Sequence, residues 1–206
     1  MTTVVMVALD KDLLEQMLLE SALTVAGIFD PGVVESVLGV PPLGGDAEWA
    51  GWAARYPEVK ALLAADPPLL RLRLAATYGP GRLAGFRSPL ARLSPQACIG
   101  ADAVIQADVF VSAGVVVGSL CKLNVGAALH HDVRLGDCCT VAPGARLLGR
   151  VSVGNGVYVG AGAMVLPNLS VGDGATIGAG AVVTSDVPAG ATVAGVPARP
   201  LPERVS

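Results

Sequence analysis

The stretch "VGAGAMVLPNLSVGDGATIGAGAV", residues 159–182, consists of four six-residue units that each open on an aliphatic residue. The same register extends in both directions, so that every sixth residue from Leu93 to Val183 is Leu, Ile or Val. The fifth position of each unit is small and apolar, most often Ala or Val, and the second position is often Gly. A period of six fits neither an α-helix nor one long strand, so the repeat needs another architecture.

The hexads predict a parallel β-solenoid. Their first and fifth residues are expected to point inward, and glycine at the second position favours a tight turn. Short strands separated by turns every six residues must coil, each rung stacking on the one before. A glycine-rich disordered tract is excluded by the unbroken series of aliphatic residues.

Composition narrows the function classes. The chain has 206 residues, a net charge of −3 and 15% charged residues, so we expect no basic face that binds nucleic acid or an anionic membrane. Residues 154–172 are uncharged, but they contain glycines and Pro167 and follow the repeat, so no transmembrane span is predicted. The N-terminus lacks a basic segment typical of signal peptides. The cysteines have no CxxC spacing and are interpreted as small buried residues of a cytoplasmic protein: Cys98, Cys121, Cys138 and Cys139.

Residues 1–88 predict a small α/β domain ahead of the solenoid at 89–188 and a tail at 189–206. Apolar runs predict strands, and residues with helical periodicity predict helices. The predicted strands are 2–9, 23–30, 59–66 and 81–86, and the predicted helices are 11–22 and 67–79. Strands that alternate with helices indicate a parallel, Rossmann-like unit.

Together these segments resemble the hexapeptide-repeat sugar acetyltransferases of the sialic-acid O-acetyltransferase and bacillosamine-pathway N-acetyltransferase type. The resemblance implies a left-handed parallel β-helix with three hexads per coil, hence about five coils. It also implies acetyl-CoA as donor, a sugar or nucleotide-linked amino sugar as acceptor, and no metal ion. The motifs that carry it are "FD" at 29–30, "GVPPLGG" at 39–45, "LSPQA" at 93–97, "LPNLSVGDG" at 166–174 and "GVPAR" at 195–199.

The only two histidines lie together in "ALHHDVRLG", residues 128–136, where the hexad frame turns His130, His131 and Asp132 outward. The resemblance implies that His131 is the general base and that Asp132 orients its ring. Imidazole suits this task because its pKa of about 6.5 lets it accept a proton at neutral pH. By resemblance, the backbone amide of Gly149 stabilises the oxyanion and Asn124 contacts the acceptor.

His130 has two interpretations: a surface imidazole without a role, or a contact to the acceptor. Two adjacent histidines turn away from each other and cannot form the three-histidine zinc site of γ-carbonic anhydrases. No metal site is therefore predicted.

The resemblance places coenzyme A in a groove between neighbouring β-helices, which implies a homotrimer. Each residue expected along this groove also has a structural interpretation as a turn residue. Thr140 stands where relatives often have a second histidine. The expected cofactor contacts are Thr140, Gly160, Ala161, Gly178, Ala179 and Arg199.

The N-terminal segment expected to bind the acceptor departs from the family pattern. Relatives have a glycine-rich loop after the first strand that cradles the nucleotide-sugar, whereas "VALDKDLLE" at 7–15 has no glycine. Asp10 and Asp12 in this loop would repel a diphosphate. Asp30 matches the family's acidic residue for the nucleotide, although an acid that ends a strand is also common as a helix cap or loop residue. Two functions stay open: a sugar N- or O-acetyltransferase, and a non-catalytic β-helix scaffold with a degraded acceptor site.

Overall fold

The structure is a computed structural model that describes residues 2–20 and 23–202. Its N-terminal unit is built from β1 (Thr3–Val7), α1 (Lys11–Glu20), β2 (Thr24–Phe29), β3 (Pro42–Gly44), α2 (Trp49–Arg55), β4 (Lys60–Leu63) and α3 (Pro68–Tyr78). Single-turn 3-10 helices cover Asp46–Glu48 and Pro80–Arg82. The four strands form one parallel sheet in the order β3-β2-β1-β4.

The predictions for β1, α1, β2, β4 and α3 are confirmed within a few residues, and the last two residues of the predicted first helix lie outside the described residues. Strand β3 and helix α2 were not predicted. Helix α2 has only seven residues, too few for a periodic signal, and it is stabilised by aromatic packing. The Trp49 ring lies 5.6 Å from that of Phe29 and 4.9 Å from that of Tyr78, between ring centroids.

Residues 86–200 form a parallel β-helix with three columns of short strands. Column 1 contains Phe86–Arg87, Val104–Ile105, Lys122–Leu123, Thr140–Val141, Tyr158–Val159, Thr176–Ile177 and Thr192–Ala194, with Arg199–Pro200 antiparallel at its end. Column 2 contains Arg92–Leu93, Phe110–Val111, Ala128–Leu129, Arg146–Leu147, Met164–Val165 and Val182–Val183. Column 3 contains Cys98–Ile99, Val116–Val117, Arg134–Leu135, Ser152–Val153 and Ser170–Val171.

Between residues 86 and 183, each strand pairs with the strand three hexads away, as where Leu129 lies between Val111 and Leu147. Three hexads therefore make one coil, as expected. The first and fifth hexad positions form a continuous buried core, which confirms the predicted inward direction. The parallel short strands fit a left-handed β-helix.

One local expectation is wrong: the second-position glycines do not supply the turn. The left-handed backbone instead occurs at the fourth position, as at Gly114 (φ 72°) and Asp132 (φ 60°). The second-position glycines are needed because coils stack closely. A Cβ on Gly136 would overlap the backbone of Gly154 one coil further on.

The N-terminal unit packs against column 1. Arg71 of α3 is buried there, and its guanidinium donates to the carbonyl oxygens of Leu120 (2.7 Å) and Cys139 (2.9 Å). Phe86 already pairs with Val104, and Thr192–Ala194 adds a rung to column 1, so the rungs extend past both predicted boundaries, 88 and 188. The segment expected as the fourth strand, 81–86, meets β4 through a single parallel bridge between Leu83 and Ala61, and its last residue begins the β-helix.

Three of the four cysteines are buried, as expected, whereas Cys98 is exposed on column 3. Cys121 and Cys139 occupy fifth hexad positions in the core. Within the described parts of the chain, no helix is both long and apolar enough to cross a bilayer.

Candidate active site

His131 and Asp132 form a side-chain pair at the corner between columns 2 and 3, which we call corner 2/3 (residues 130–133 in this coil). His131 Nδ1 lies 3.0 Å from Asp132 Oδ2, and the two side chains are 52% and 59% exposed. Asp132 lies over Gly114 of the preceding coil, where a Cβ would overlap its Oδ1. This glycine leaves room for the carboxylate that orients the ring.

Gly149 occupies the position equivalent to His131 one coil further on. The two coils are joined there by a hydrogen bond from the Arg150 amide to the His131 carbonyl oxygen (3.0 Å). A Cβ on Gly149 would overlap His131 Nε2, so the ring rests directly on the glycine backbone. The Gly149 N–H has no hydrogen-bond partner among residues 2–20 and 23–202. A proton acceptor and an unpaired N–H donor therefore lie side by side.

The roles of the two ring nitrogens follow from this arrangement. When Nδ1 carries the proton that bonds to Asp132, Nε2 presents a lone pair to solvent and can accept a proton. The carboxylate also stabilises the imidazolium that would result. The pair can thus act as a general base.

His130 turns away from this pair and packs toward column 2. It is half-buried, with its ring 6.0 Å from that of Phe110 in an edge-on arrangement. Arg92 lies over the same Phe110 ring at 5.7 Å. His130 therefore contributes packing at this corner, and an acceptor contact stays a prediction.

Asn124 lies at corner 1/2 (residues 124–127 in this coil), at the other end of column 2 from His131. Asn124 is 5% exposed, and its Nδ2 donates to Asp66 Oδ1 at 3.0 Å. Its buried Oδ1 has no donor among the described residues. Because a column separates the two corners, one chain does not bring Asn124 and His131 together.

The residues expected to contact coenzyme A, other than Thr140, lie at corner 1/2 and on the last strand of the β-helix. Corner 1/2 carries Gly160, Ala161, Gly178 and Ala179, of which the two alanines are exposed. Gly160 is buried, and a Cβ there would overlap the Ala179 nitrogen, so coil stacking already explains that glycine. Arg199 is exposed on the last strand and donates to the neighbouring carbonyl of Ala198 (2.9 Å).

One expectation requires correction, and a second stays a prediction. Thr140 is fully buried, and its hydroxyl donates to the Asp66 carbonyl oxygen at 2.6 Å, so it holds the α/β unit on column 1 and cannot contact coenzyme A. Asp30 makes structural contacts, since its Oδ2 accepts from the Leu9 amide and its Oδ1 from the Gly32 amide, and the nucleotide contact expected of it stays a prediction. Its carboxylate links the loops that follow β1 and β2.

Lys122 is the main feature that the sequence did not reveal. It is fully buried in column 1, and its Nζ donates to Asp10 Oδ2 (2.6 Å), Asp66 Oδ1 (2.8 Å) and the Ala64 carbonyl (2.6 Å). Its sixth hexad position predicts an outward side chain, and only the docked α/β unit makes that position interior. In column 1 the other residues at this position are apolar or neutral, so the signal was a single charged residue among them.

Asp66 is held ionised by these neighbours. Burial alone would raise the pKa of the Asp66 carboxyl. The hydrogen bonds from Asn124 and Lys122, together with the positive charges of Lys122 and Arg71, lower this pKa by more than burial raises it. The net pKa lies below the ordinary value of 3.8.

A cavity of about 760 Å³ lies between the α/β unit and corner 1/2, and we call it the interdomain cleft. It opens at the carboxyl ends of β1 and β4, where the strand order reverses and where parallel α/β sheets bind ligands. Its polar lining comes from Asp10, Asp12, Asp66, Gln106 and Asn124. In residues 2–20 and 23–202, no group of three or more His, Cys, Asp or Glu side chains could hold a metal ion.

Comparison with known proteins agrees with the repeat. Residues 150–185 match the family of bacterial transferase hexapeptide repeats (six repeats). No match is found among curated protein sequences.

Solved structures match nearly the whole chain. A mutant of perosamine N-acetyltransferase from Caulobacter crescentus, in complex with CoA and GDP-perosamine, is 30% identical, with a TM-score of 0.91 over 98% of this chain and 97% of that one. The acetyltransferase domain of PglB from Neisseria gonorrhoeae is 28% identical, with a TM-score of 0.89 over 98% and 100%. WeeI from Acinetobacter baumannii is 25% identical, with a TM-score of 0.86 over 97% and 100%. By 30% identity over 98% of its length, the chain belongs to the family of hexapeptide-repeat sugar acetyltransferases.

Proposed function

We propose that this protein transfers the acetyl group of acetyl-CoA to the amine of an amino sugar, with His131 as the general base. The observation that carries the proposal is the contact between the His131 ring and Gly149, which places a proton acceptor beside an unpaired N–H. The relatives support an amine acceptor, since the Caulobacter enzyme is an N-acetyltransferase crystallised with CoA and GDP-perosamine.

Each residue of the site has one task in this reaction. As the acceptor amine attacks the thioester carbonyl, His131 Nε2 takes its proton, and Asp132 stabilises the imidazolium through Nδ1. The Gly149 N–H donates to the oxyanion of the tetrahedral intermediate. Collapse breaks the carbon–sulfur bond, the imidazolium returns its proton to the leaving sulfur, and the products are an amide and a free thiol.

The donor is expected to lie along the β-helix toward its C-terminal coils. Acetyl-CoA supplies the activated acyl group, and the chain has to leave a narrow path for its pantetheine arm. At corner 1/2, the small exposed side chains of Ala161 and Ala179 leave such a path. Gly178 lies beside it, and Arg199 lies at its end on the last strand. Gly160 contributes only its backbone there.

A trimer completes the site. Several outward side chains of column 2 are half-buried and apolar: Phe110, Ala128, Met164 and Val182. We infer that this face packs around a threefold axis. Corner 1/2 of one copy then meets corner 2/3 of the next, and Asn124 and the cleft of one copy lie near His131 of its neighbour.

We also propose that the N-terminal unit is Rossmann-like and holds the acceptor, because its cleft lies where such sheets bind ligands. Five full coils of the β-helix would then carry the donor. The cytoplasm, which supplies acetyl-CoA, is the proposed compartment.

The experiment that tests the proposal follows free thiol release from acetyl-CoA with a panel of free and nucleotide-linked amino sugars. We expect release with at least one amino sugar, an acetylated amine by mass spectrometry, and a trimer by sedimentation. Absence of release with every acceptor, together with no thermal shift on adding acetyl-CoA, would instead support a non-catalytic scaffold.

A further inference from the structure

Backbone amides equivalent to that of Gly149 are paired at another corner of the β-helix. At corner 3/1, between columns 3 and 1, three of them donate to an aspartate or asparagine side chain. In each case donor and acceptor are the third residues of hexads one coil apart. The pairs are Ser119 to Asp137 Oδ1 (2.8 Å), Asp137 to Asn155 Oδ1 (2.8 Å) and Asn155 to Asp173 Oδ1 (2.7 Å). A side chain of the next coil therefore takes the amide of the third position there.

Gly149 begins the same kind of turn. Arg150, which follows it, has a left-handed backbone (φ 61°), as have the residues that follow the three donors at corner 3/1: Leu120 (56°), Cys138 (57°) and Gly156 (64°). The Arg150 amide donates to the third-position carbonyl one coil back, as the Cys138 amide does. Because the turns match, the Gly149 N–H is directed toward the third residue of the next coil, which is Pro167.

Pro167 cannot take this hydrogen bond. Its ring consists of carbon atoms and a nitrogen without a free lone pair, so the side chain offers no acceptor. The neighbouring Asn168 does have an acceptor, but its Oδ1 is already bonded to Arg150 Nε at 2.7 Å. Within residues 2–20 and 23–202, the Gly149 N–H accordingly stays unpaired.

We propose that Pro167 is a positioning residue for acyl transfer, because it withholds the side-chain acceptor that would otherwise occupy the Gly149 N–H. An acceptor at this position would compete with the oxyanion for the same donor. The inference rests on the proposed function for the role of Gly149. It also gives a task to the "LPN" of residues 166–168, which the reaction itself does not use.

Two variants of nearly equal shape test the proposal. Pro167→Asn introduces the acceptor found at Asn155, whereas Pro167→Leu introduces a branched side chain of similar size without one. We expect Pro167→Asn to lower kcat about 100-fold with KM for acetyl-CoA nearly unchanged, which is the loss typical of a missing oxyanion donor. Pro167→Leu should stay within about threefold of the unmodified protein, since the N–H remains open.

Amide hydrogen exchange, followed by NMR on the ¹⁵N-labelled full-length protein, reports on the N–H without any assay of activity. In the unmodified protein the Gly149 amide should exchange faster than the paired amides of Asp137 and Asn155. In Pro167→Asn it should slow at least about fivefold, and in Pro167→Leu it should not. The first comparison needs no variant, so it holds even where a substitution at 167 prevents folding.

The outcomes separate this inference from the proposed function. Equal losses of kcat in Pro167→Asn and Pro167→Leu would overturn the inference, because the shape of proline would then matter and not the open amide. A Gly149 amide as protected as that of Asp137 in the unmodified protein would overturn it too. If Pro167→Asn protects the Gly149 amide and leaves kcat unchanged, the oxyanion role in the proposed function is wrong, although Pro167 does keep the N–H open.

Discussion

The imidazole of His131 rests on the backbone of Gly149, one coil further along the β-helix, so closely that a Cβ on Gly149 would overlap Nε2. The proton acceptor and the N–H that would stabilise the oxyanion are therefore set by one stacking contact between coils.

Gly149→Ala should reduce kcat about 100-fold, because the new methyl group displaces the His131 ring from its working position. Steady-state thiol release measures the loss, and an unchanged melting temperature shows that the fold is retained. Gly51→Ala is the matched control, since a Cβ there meets no atom within 4 Å. Full activity of the Gly149 variant would show that the ring is not constrained by this contact.

His131→Ala should lower turnover by roughly 10²–10⁴-fold and leave the oligomer intact, because the general base is lost. His130→Ala should cost much less, since His130 packs against Phe110, whereas His131 is the ring that pairs with Asp132. Comparison of the two variants in the same assay is decisive. If His130→Ala proves the more damaging, the assignment of the base is wrong.

Asp132→Asn should lower kcat by more than about tenfold, but by less than the ~10⁴-fold loss for a buried triad carboxylate, because this pair is half-exposed. Asparagine tolerates the left-handed backbone at this position (φ 60°), so the turn is retained. The amide cannot stabilise the imidazolium, and the loss should appear in kcat with KM for acetyl-CoA nearly unchanged. An equal loss in Asp132→Glu would point to position, not charge.

Lys122→Met should destabilise the protein by about 3 kcal/mol, because it leaves Asp10 and Asp66 without their shared cation. Urea unfolding followed by circular dichroism measures the change. Adding Asp10→Asn and Asp66→Asn to Lys122→Met should recover part of the stability. If the triple variant is less stable than the single one, repulsion between the carboxylates is not the cause.

Acid should weaken the contact between the two units. The pKa of Asp66 is lowered below 3.8 in the folded protein, so its carboxylate contributes stability that is fully present above the unfolded value and is lost as the pH falls through the folded value. The free energy of unfolding should therefore decline below about pH 3.8, measured by urea titration at several pH values. Asp66→Asn should show a shallower decline, and an identical decline would contradict this assignment.

Much of the β-helix could be predicted because the residues within each hexad decide which of its side chains face inward. An aliphatic first residue and a small fifth residue have to face inward in a narrow coil, so Leu129 and Val133 set the outward direction of His131 and Asp132 without any distant contact. The corner and the pair were both predictable for that reason. Helix α2 was not, because its stability comes from Trp49 packing on residues far away in the sequence.

The sequence by itself determined the winding of the chain, the corner that carries the His131–Asp132 pair, and the absence of glycine from the loop after β1. Only the tertiary structure decided that Lys122 and Thr140 are interior, that Asn124 faces a cleft on a different corner from His131, and that Asp10 and Asp66 neutralise a buried ammonium. The physical reason is the distance along the sequence between the residues that interact. Hexad periodicity is a local property, whereas the cleft exists only because the α/β unit covers the outward face of one column, and no spacing in the sequence records which column that is.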